Sequence, residues 1–469
     1  MAHAKPDGGD EMRKECIPLV LIVLVMILSG FIYLFMPDRC CGILEMLYLL
    51  LTVIALYLNK RINGIFINTL SIFLFCVFFF NGDRILLDLL GYDDMKELYY
   101  LTTSTITATN NNRAILCVIL GSGAVSLAYL WSPHKGILTR RVSSFRIPDP
   151  VLYSLFIIGF AVKIHIAYRA FSLVTEYSYA AVFLEGVGIP LYMRVASYFS
   201  LFVCLYKLKE NKRIWLVPVF LFALLSMATG QRGLGMGLIL IGFYFSHIRE
   251  LIRFNLIRFL GGIVLGVTMM ILTVQYREQD NGEVREVDLV SDILWGQGVS
   301  ISVLQLAIQD ERQLDYHVHN IFDNVLYRVH GCFSPGVYKD GQFNQVTRYK
   351  LWSSYISYKT NPDAYTAGGG MGGNYFGQMY AAGKELMVML ASLFVGFFLR
   401  FLENDLRSGN VIKIYLAVGI LQYFIMIPRD NLLDFITDMI EPGIALMLIY
   451  VIFIVTRLAK AHVSYGKNN

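Results

Sequence analysis

The sequence predicts an all-α integral membrane protein of about twelve transmembrane helices with one large extracytoplasmic loop. Three observations predict it. The mean hydropathy is +0.55, with 56% hydrophobic and 16% charged residues in 469, outside the range of soluble globular chains. Apolar runs recur at close to the ~20 residues that cross a hydrocarbon core as helix. One interval, 276–385, breaks that pattern: it holds thirteen of the 35 acidic residues, nine of the 40 basic ones and three of the eight His.

The first apolar run, 17–36, follows Arg13 and Lys14 and leads into Pro37-Asp38-Arg39-Cys40-Cys41. A secretory signal would be shorter and would end at small residues, so this run reads as a retained span. The next runs are 43–58, 64–80, 114–131, 151–170, 189–206, 214–229, 234–247 and 259–275. After the polar interval come 386–402, 412–427 and about 439–456. The chain thus divides into a membrane domain of nine helices (1–275), the loop domain (276–385), and three last helices with a tail (386–469). Placing the N-terminus inside puts 22 of the 40 Lys and Arg on the cytoplasmic side and only nine in the short outer segments. That bias makes both termini cytoplasmic and the loop extracytoplasmic. The outer polar run 102–112 reads as a surface loop.

Several chemistries are excluded by what the chain lacks. No CxxC or Cys/His metal spacing occurs among the seven Cys and eight His, and the pair His317 and His319 diverges on a helix, so no metal is expected. There is no GxxxxGK[ST] loop and no cytoplasmic room for a nucleotide-binding domain. No cofactor is expected. The net charge of +5 follows from sidedness across a membrane and requires no nucleic-acid partner.

Candidate chemistry gathers at the outer side. In Gly230-Gln231-Arg232-Gly233 an Arg sits at the turn between two apolar helices. A guanidinium near the interface must snorkel or find an anion, and its planar fork suits phosphate or pyrophosphate. An interfacial anchor beside a glycine-packed hairpin fits the same residues. A second outer Arg, Arg429, is followed by Asp430, Asp434 and Asp438 at helical spacing, which reads either as a carboxylate stripe lining a cavity or as a solvated face. Lys163, His165 and Arg169 with Arg194 form a basic group suited to an anionic lipid headgroup, or simply snorkel.

Within the loop, Gln297-Gly298-Val299-Ser300 interrupts an apolar stretch, and Asp315 or His319 could act as general base toward a sugar hydroxyl. The ladder 352–365, including Tyr355 and Tyr358, offers aromatic faces with interleaved polar groups, as sugar rings require, although a loop domain's own core needs the same residues. Five glycines in 368–373 permit unusual backbone angles and exposed N–H groups.

Together these pieces resemble the O-antigen polysaccharide polymerase (Wzy) family, the oligosaccharide repeat unit polymerases. The resemblance rests on the membrane layout and four motifs: Gly-x-Arg-Gly at 230–233, Gln-Gly-x-Ser at 297–300, the glycine-rich segment 372–380 with Tyr375 and Tyr380, and the late outer Arg429. Where the family's Gly-Ser-Ser-Tyr-x-Ala-Glu-x-Tyr carries Glu, this chain has Gln378, which cannot take a proton. Either another group, such as Asp430, Asp315 or His319, is the base, or the family's carboxylate is a hydrogen-bonding group that Gln replaces. The resemblance implies a GT-C-like glycosyltransferase of the bacterial inner membrane. It would join oligosaccharide repeat units carried on undecaprenyl pyrophosphate, on the outer face and without metal, into O-antigen or capsular polysaccharide, with a chain-length regulator protein as a possible partner. In that reading Arg232 and Arg429 hold pyrophosphate with help from Lys163 and Arg169, while Gln297, Ser300, Tyr355, Tyr358, Tyr375 and Tyr380 contact glycan. An O-antigen ligase shares the donor chemistry, and a lipid-linked oligosaccharide transporter would also use many spans. The Gln-Gly-x-Ser and glycine-rich pair favour the polymerase, and the absence of matching halves disfavours transport.

Overall fold

Backbone amides inside a bilayer must be satisfied within their own segment, and the chain meets that demand with helices. A computed structural model describes residues 8–92, 94–96, 105–133, 145, 147–176, 188–228, 232–251, 298–333, 341–366 and 370–466. No β-strand occurs among the described residues. In order the helices are α1 (Gly8–Phe35), α2 (Cys41–Asn63), α3 (Thr69–Val77), a π-helical turn (Phe78–Gly82), α4 (Asp83–Leu89), α5 (Ala108–Trp131), α6 (Asp149–Glu176), α7 (Leu191–Lys209), α8 (Leu216–Ala228) and α9 (Arg232–Ile248). Then follow α10 (Ser300–Gln309), α11 (Asp323–Phe333), α12 (Gly341–Thr347), α13 (Trp352–Thr360), α14 (Pro362–Thr366), α15 (Tyr375–Leu406), α16 (Val411–Phe424), α17 (Asp434–Asp438) and α18 (Ile440–Gly466). Short 3-10 turns lie at Arg213–Trp215, Val318–Phe322 and Ile427–Arg429.

Seven helical stretches among the described residues are long and apolar enough to cross a membrane: Cys41–Asn63, Thr69–Leu89, Ala108–Trp131, Asp149–Leu173, Tyr375–Leu406, Val411–Arg429 and Asp434–Ala459. The other expected spans fall on shorter apolar helices, Leu19–Phe35, Arg213–Met227 and Gly233–Ile248, or on α7. The expected span 259–275 lies outside the described residues.

Local chemistry sets the helix ends. Gly64 closes α2 in the left-handed conformation (φ 69°), its N–H returning to the Lys60 carbonyl, with Lys60 and Arg61 beside the negative end of the helix dipole. The Asn68, Thr107 and Asn410 side chains accept from the first backbone N–H groups of α3, α5 and α16. Thr107 brings a correction: Asn110, Asn111 and Asn112 belong to helix α5 and are not part of a surface loop, and Asn111 and Asn112 are buried. Asn111 Oδ1 accepts from Gln305 Nε2 (2.7 Å), and Asn112 Nδ2 donates to the Pro37 carbonyl (2.7 Å).

Two compact units result. The first joins Met1–His134, Asp288–Phe401 and Ile427–Leu433; the second joins Lys135–Val287, Leu402–Met426 and Asp434–Asn469. In the first unit α5 is the buried axis, packed by α1, α2 and α10. Helix α10 lies inside the expected polar loop, yet it buries Ile301, Val303, Leu304 and Ile308. In the second unit α6 packs on α7, α8 on α9, and α16 on α9. Lipid is as apolar as a leucine side chain, so close backbone approach has to hold such pairs, and Gly159 lets α6 reach the Ser200 amide and Ala196 carbonyl of α7.

Candidate active site

The first unit contains a buried polar knot where four distant segments meet. The run Phe78-Phe79-Phe80 is followed by Asn81-Gly82-Asp83-Arg84, which places polar side chains in the middle of a membrane-length helix. The helix widens here into its π-turn, which admits an extra residue and re-aims its neighbours. Asn81 is fully buried. Its Oδ1 accepts from Asn374 Nδ2 (2.7 Å), and its Nδ2 donates to the Pro428 carbonyl (3.4 Å). Asn374, also fully buried, donates a second bond to the Ser300 carbonyl (2.6 Å) and accepts from the Phe376 N–H (2.9 Å), capping the start of α15. Buried Arg84 donates to Ser302 Oγ (3.0 Å) and the Asp94 carbonyl (3.3 Å). Gly298 sits so close to Asp83 and Arg84 that no Cβ fits.

The late turn closes on this knot. Ile427–Arg429 forms a 3-10 turn, with Ile427 and Pro428 buried. The Asp430 N–H returns to the Ile427 carbonyl (3.0 Å), and Asp430 Oδ1 accepts from the Asn431 N–H (2.9 Å). Gly373 lies against it, where a Cβ would stand 3.0 Å from Asp430 Cα and 2.9 Å from Asn431 Oδ1. Gly372 adopts φ 79°, a conformation side chains resist. The outcome is an exposed Arg429 and a half-exposed Asp430 held over buried polar groups. The guanidinium carbon of Arg429 lies 5.6 Å from the centre of the Phe80 ring, in cation–π range. This arrangement can present a planar cation and a carboxylate to an anionic, hydroxyl-bearing substrate.

Gln378 is buried and both ends of its amide are used. Oε1 accepts from the Leu432 N–H (2.9 Å), and Nε2 donates to the Tyr316 hydroxyl (2.8 Å). It therefore ties α15 to the late turn and to the loop. Tyr375 and Tyr380 are buried, their hydroxyls facing Ser392 Oγ (3.3 Å) and Glu311 Oε2 (2.7 Å). Tyr355 is buried and accepts from the Asp315 N–H (3.1 Å), whereas Tyr358 is exposed and meets Tyr365 edge-on at 6.0 Å. Ser300 is buried and contributes its carbonyl to the knot. Exposed His319 stands with its ring 5.7 Å from that of His317, whose Nε2 is 3.1 Å from Asp315. A hydrogen bond from Lys350 (2.5 Å) holds the Asp315 carboxyl below the ordinary range.

In the first third of α15, at Gly383 and Lys384, the helix breaks. Lys384 adopts φ 57° and ψ −156°, a strained conformation for a residue with a side chain. Charges brace the break: Lys384 Nζ lies 2.5 Å from Glu311 Oε1, and Arg113 Nε lies 2.5 Å from Glu385. The hydrogen bond from Lys384 keeps the Glu311 carboxyl below its usual range, with Tyr380 and Arg113 contributing.

In the second unit, Lys163 is buried with its ammonium 4.5 Å from the Phe222 ring centre, and Arg169 is exposed. Arg232 begins α9. The glycines after it are packing surfaces: Gly233 faces Met426, Gly235 the Ala223 carbonyl, and Gly237 the Gln422 carbonyl. Gln297, Gly230 and Gln231 lie outside the described residues. The acidic stripe after Arg429 is not one helix, because Asp430 sits in the turn and only Asp434–Asp438 is helical. Among the described residues, Cys41, Glu45 and Asp88 place possible metal-ligand atoms within 4.8 Å of one another.

Sequence reasoning missed Asn81, Arg84 and Asn374. The signal for the first two was the Asn-Gly-Asp-Arg interruption of an apolar run, since ionisable groups inside a span mark function or pairing. The sequence model of the family described as O-antigen polysaccharide polymerase Wzy matches residues 17–462. No curated protein and no solved structure is matched by the chain.

Proposed function

The chain belongs to the O-antigen polysaccharide polymerase Wzy family, whose members are membrane polymerases of lipid-linked oligosaccharide repeat units, and from that premise we propose that its substrate is the undecaprenyl-pyrophosphate-linked unit and that Arg429 holds the departing pyrophosphate. The observation that carries the reading is the exposed Arg429 seated over Phe80 beside half-exposed Asp430. The acceptor hydroxyl attacks the anomeric carbon of the donor. A glycosidic C–O bond forms as the bond to pyrophosphate breaks, the hydroxyl proton passes to a base, and polyprenyl pyrophosphate leaves. Charge grows on the pyrophosphate in that step, so a fixed guanidinium lowers the barrier, and the leaving group is good enough that no metal is required.

Asp430 is the base of this reading, because it is half-exposed and adjacent to the cation, whereas the neutral amide of Gln378 cannot take up a proton and serves as a tie. Arg232, Lys163 and Arg169 are the further anion contacts of the proposal, and His319 and Tyr358 are exposed groups that the proposal assigns to glycan in the loop. The twelve-span, GT-C-like layout with cytoplasmic termini and the loop on the outer face belongs to the same reading, as does a chain-length regulator as partner. The test is the glycan ladder of cells lacking the gene, complemented with wild type or Arg429→Ala. The expected result is collapse to single repeat units, reversed by wild type only. Long polymer left on the lipid carrier would instead mean ligation, and loss of outward-facing units would mean transport.

A further inference from the structure

We infer that Phe80 and Asn81, the two residues presented by the π-turn, are positioning residues for Arg429 and set how tightly the pyrophosphate is held. The inference rests on the reading of Arg429 given above. Nothing in an apolar span calls for an asparagine, and a buried amide is unfavourable unless both its ends are bonded. Asn81 meets that condition with two partners, Asn374 and the Pro428 carbonyl. The second is the carbonyl of the residue immediately before Arg429, so Asn81 fixes the backbone from which the guanidinium projects. Phe80 acts on the other end of the same residue, its ring lying 5.6 Å from the guanidinium carbon. A ring face beneath the guanidinium fork narrows its rotamers before substrate arrives. Phe80 and Asn81 are successive residues of the π-turn, and both meet the late turn, one through its ring and the other through its amide.

Each link can be broken separately. Phe80→Leu keeps an apolar side chain of similar bulk and removes the ring face. Asn81→Asp keeps the acceptor for Asn374 and loses the donor to Pro428. Asn81→Ala loses both.

The experiment uses the purified full-length protein in lipid vesicles with the lipid-linked repeat unit as donor and inorganic pyrophosphate as competing probe. Initial rates give KM and kcat, and the inhibition constant for pyrophosphate is measured for each variant. Phe80→Leu is expected to raise that constant and the donor KM by about fivefold, with Asn81→Asp and Asn81→Ala raising them further. Adding Phe80→Leu to Arg429→Ala should change nothing more, as expected of residues acting through one another. A merely structural role would lower the active fraction, and hence kcat, without moving the inhibition constant. If Arg429→Ala weakens pyrophosphate binding while Phe80→Leu and Asn81→Ala keep the wild-type constant, this inference falls and the role of Arg429 stands. If Arg429→Ala itself binds pyrophosphate as wild type does, the reading beneath it falls.

Discussion

Two glycine-rich stretches of this chain look alike in sequence and behave differently in structure. At the start of α9, Gly233, Gly235 and Gly237 face a Met side chain and two helix carbonyls, so their absent side chains allow helices to touch. Before α15, Gly373 faces the backbone of Asp430 and the side chain of Asn431, so its absent side chain allows the Arg429–Asp430 turn to close. Arg232 begins α9 itself, whereas Arg429 lies in the distant turn that Gly372 and Gly373 pack against. What separates a packing glycine from a site glycine is the chemistry of what it touches, and that information is held in distant residues.

Substitution at the two stretches should therefore differ in kind. Gly373→Ala forces the Asp430 backbone to move and should lower turnover by about 100-fold, the scale of a ~1 Å misplacement, while the protein still folds. Measured rates against folded protein check this, and near-normal turnover would break the contrast. Gly237→Ala should instead cost about 1–3 kcal/mol of stability by overpacking against the Gln422 carbonyl. Turnover per folded molecule should stay near wild type. Thermal unfolding in detergent reads the first effect, and a lost rate with unchanged stability would reverse the assignment.

Gln378→Glu sharpens the comparison further, since it puts an ionisable carboxyl between the Leu432 N–H and the Tyr316 hydroxyl. The carboxylate can accept from the Leu432 N–H and the Tyr316 hydroxyl but cannot donate, and burying its charge costs more than the ~1–3 kcal/mol of a neutral group left unsatisfied. A modest fall in rate is expected. A rise in rate, with a new acidic limb in the pH profile, would show that position to be the base. The smallest effect concerns Glu311. Its folded pKa lies below the ordinary 4.5, so its contribution is present above that value and is lost as pH falls through the depressed one. The stability gap between wild type and Glu311→Gln should exist at pH 7 and close in acid. A gap unchanged by pH would remove Glu311 from the brace at Lys384.

Much of this was legible beforehand, and the reason is physical. Apolar length reports spans directly, so runs such as 43–58 and 386–402 fall on observed helices α2 and α15. Arg429 stood out because a cation at a span's end needs an explanation. The Asn81–Asn374 bond joins residues 293 positions apart, and no local pattern encodes it. A π-turn leaves no periodicity to read. The tyrosines show the opposite failure: a ring that stacks on sugar and a ring that fills a core have the same composition. Tyr375 and Tyr380 proved buried, whereas Tyr358 is exposed.

The most direct test of the central claim is the initial rate of repeat-unit polymerisation in vesicles by wild type, Arg429→Ala and Arg429→Lys at matched amounts of folded protein. The account predicts a fall of about 100-fold or more for Arg429→Ala, partly recovered by Arg429→Lys, whose ammonium supplies charge without the planar fork. An Arg429→Ala rate within about twofold of wild type, below the effect of losing even one stabilising contact in the transition state, would contradict it.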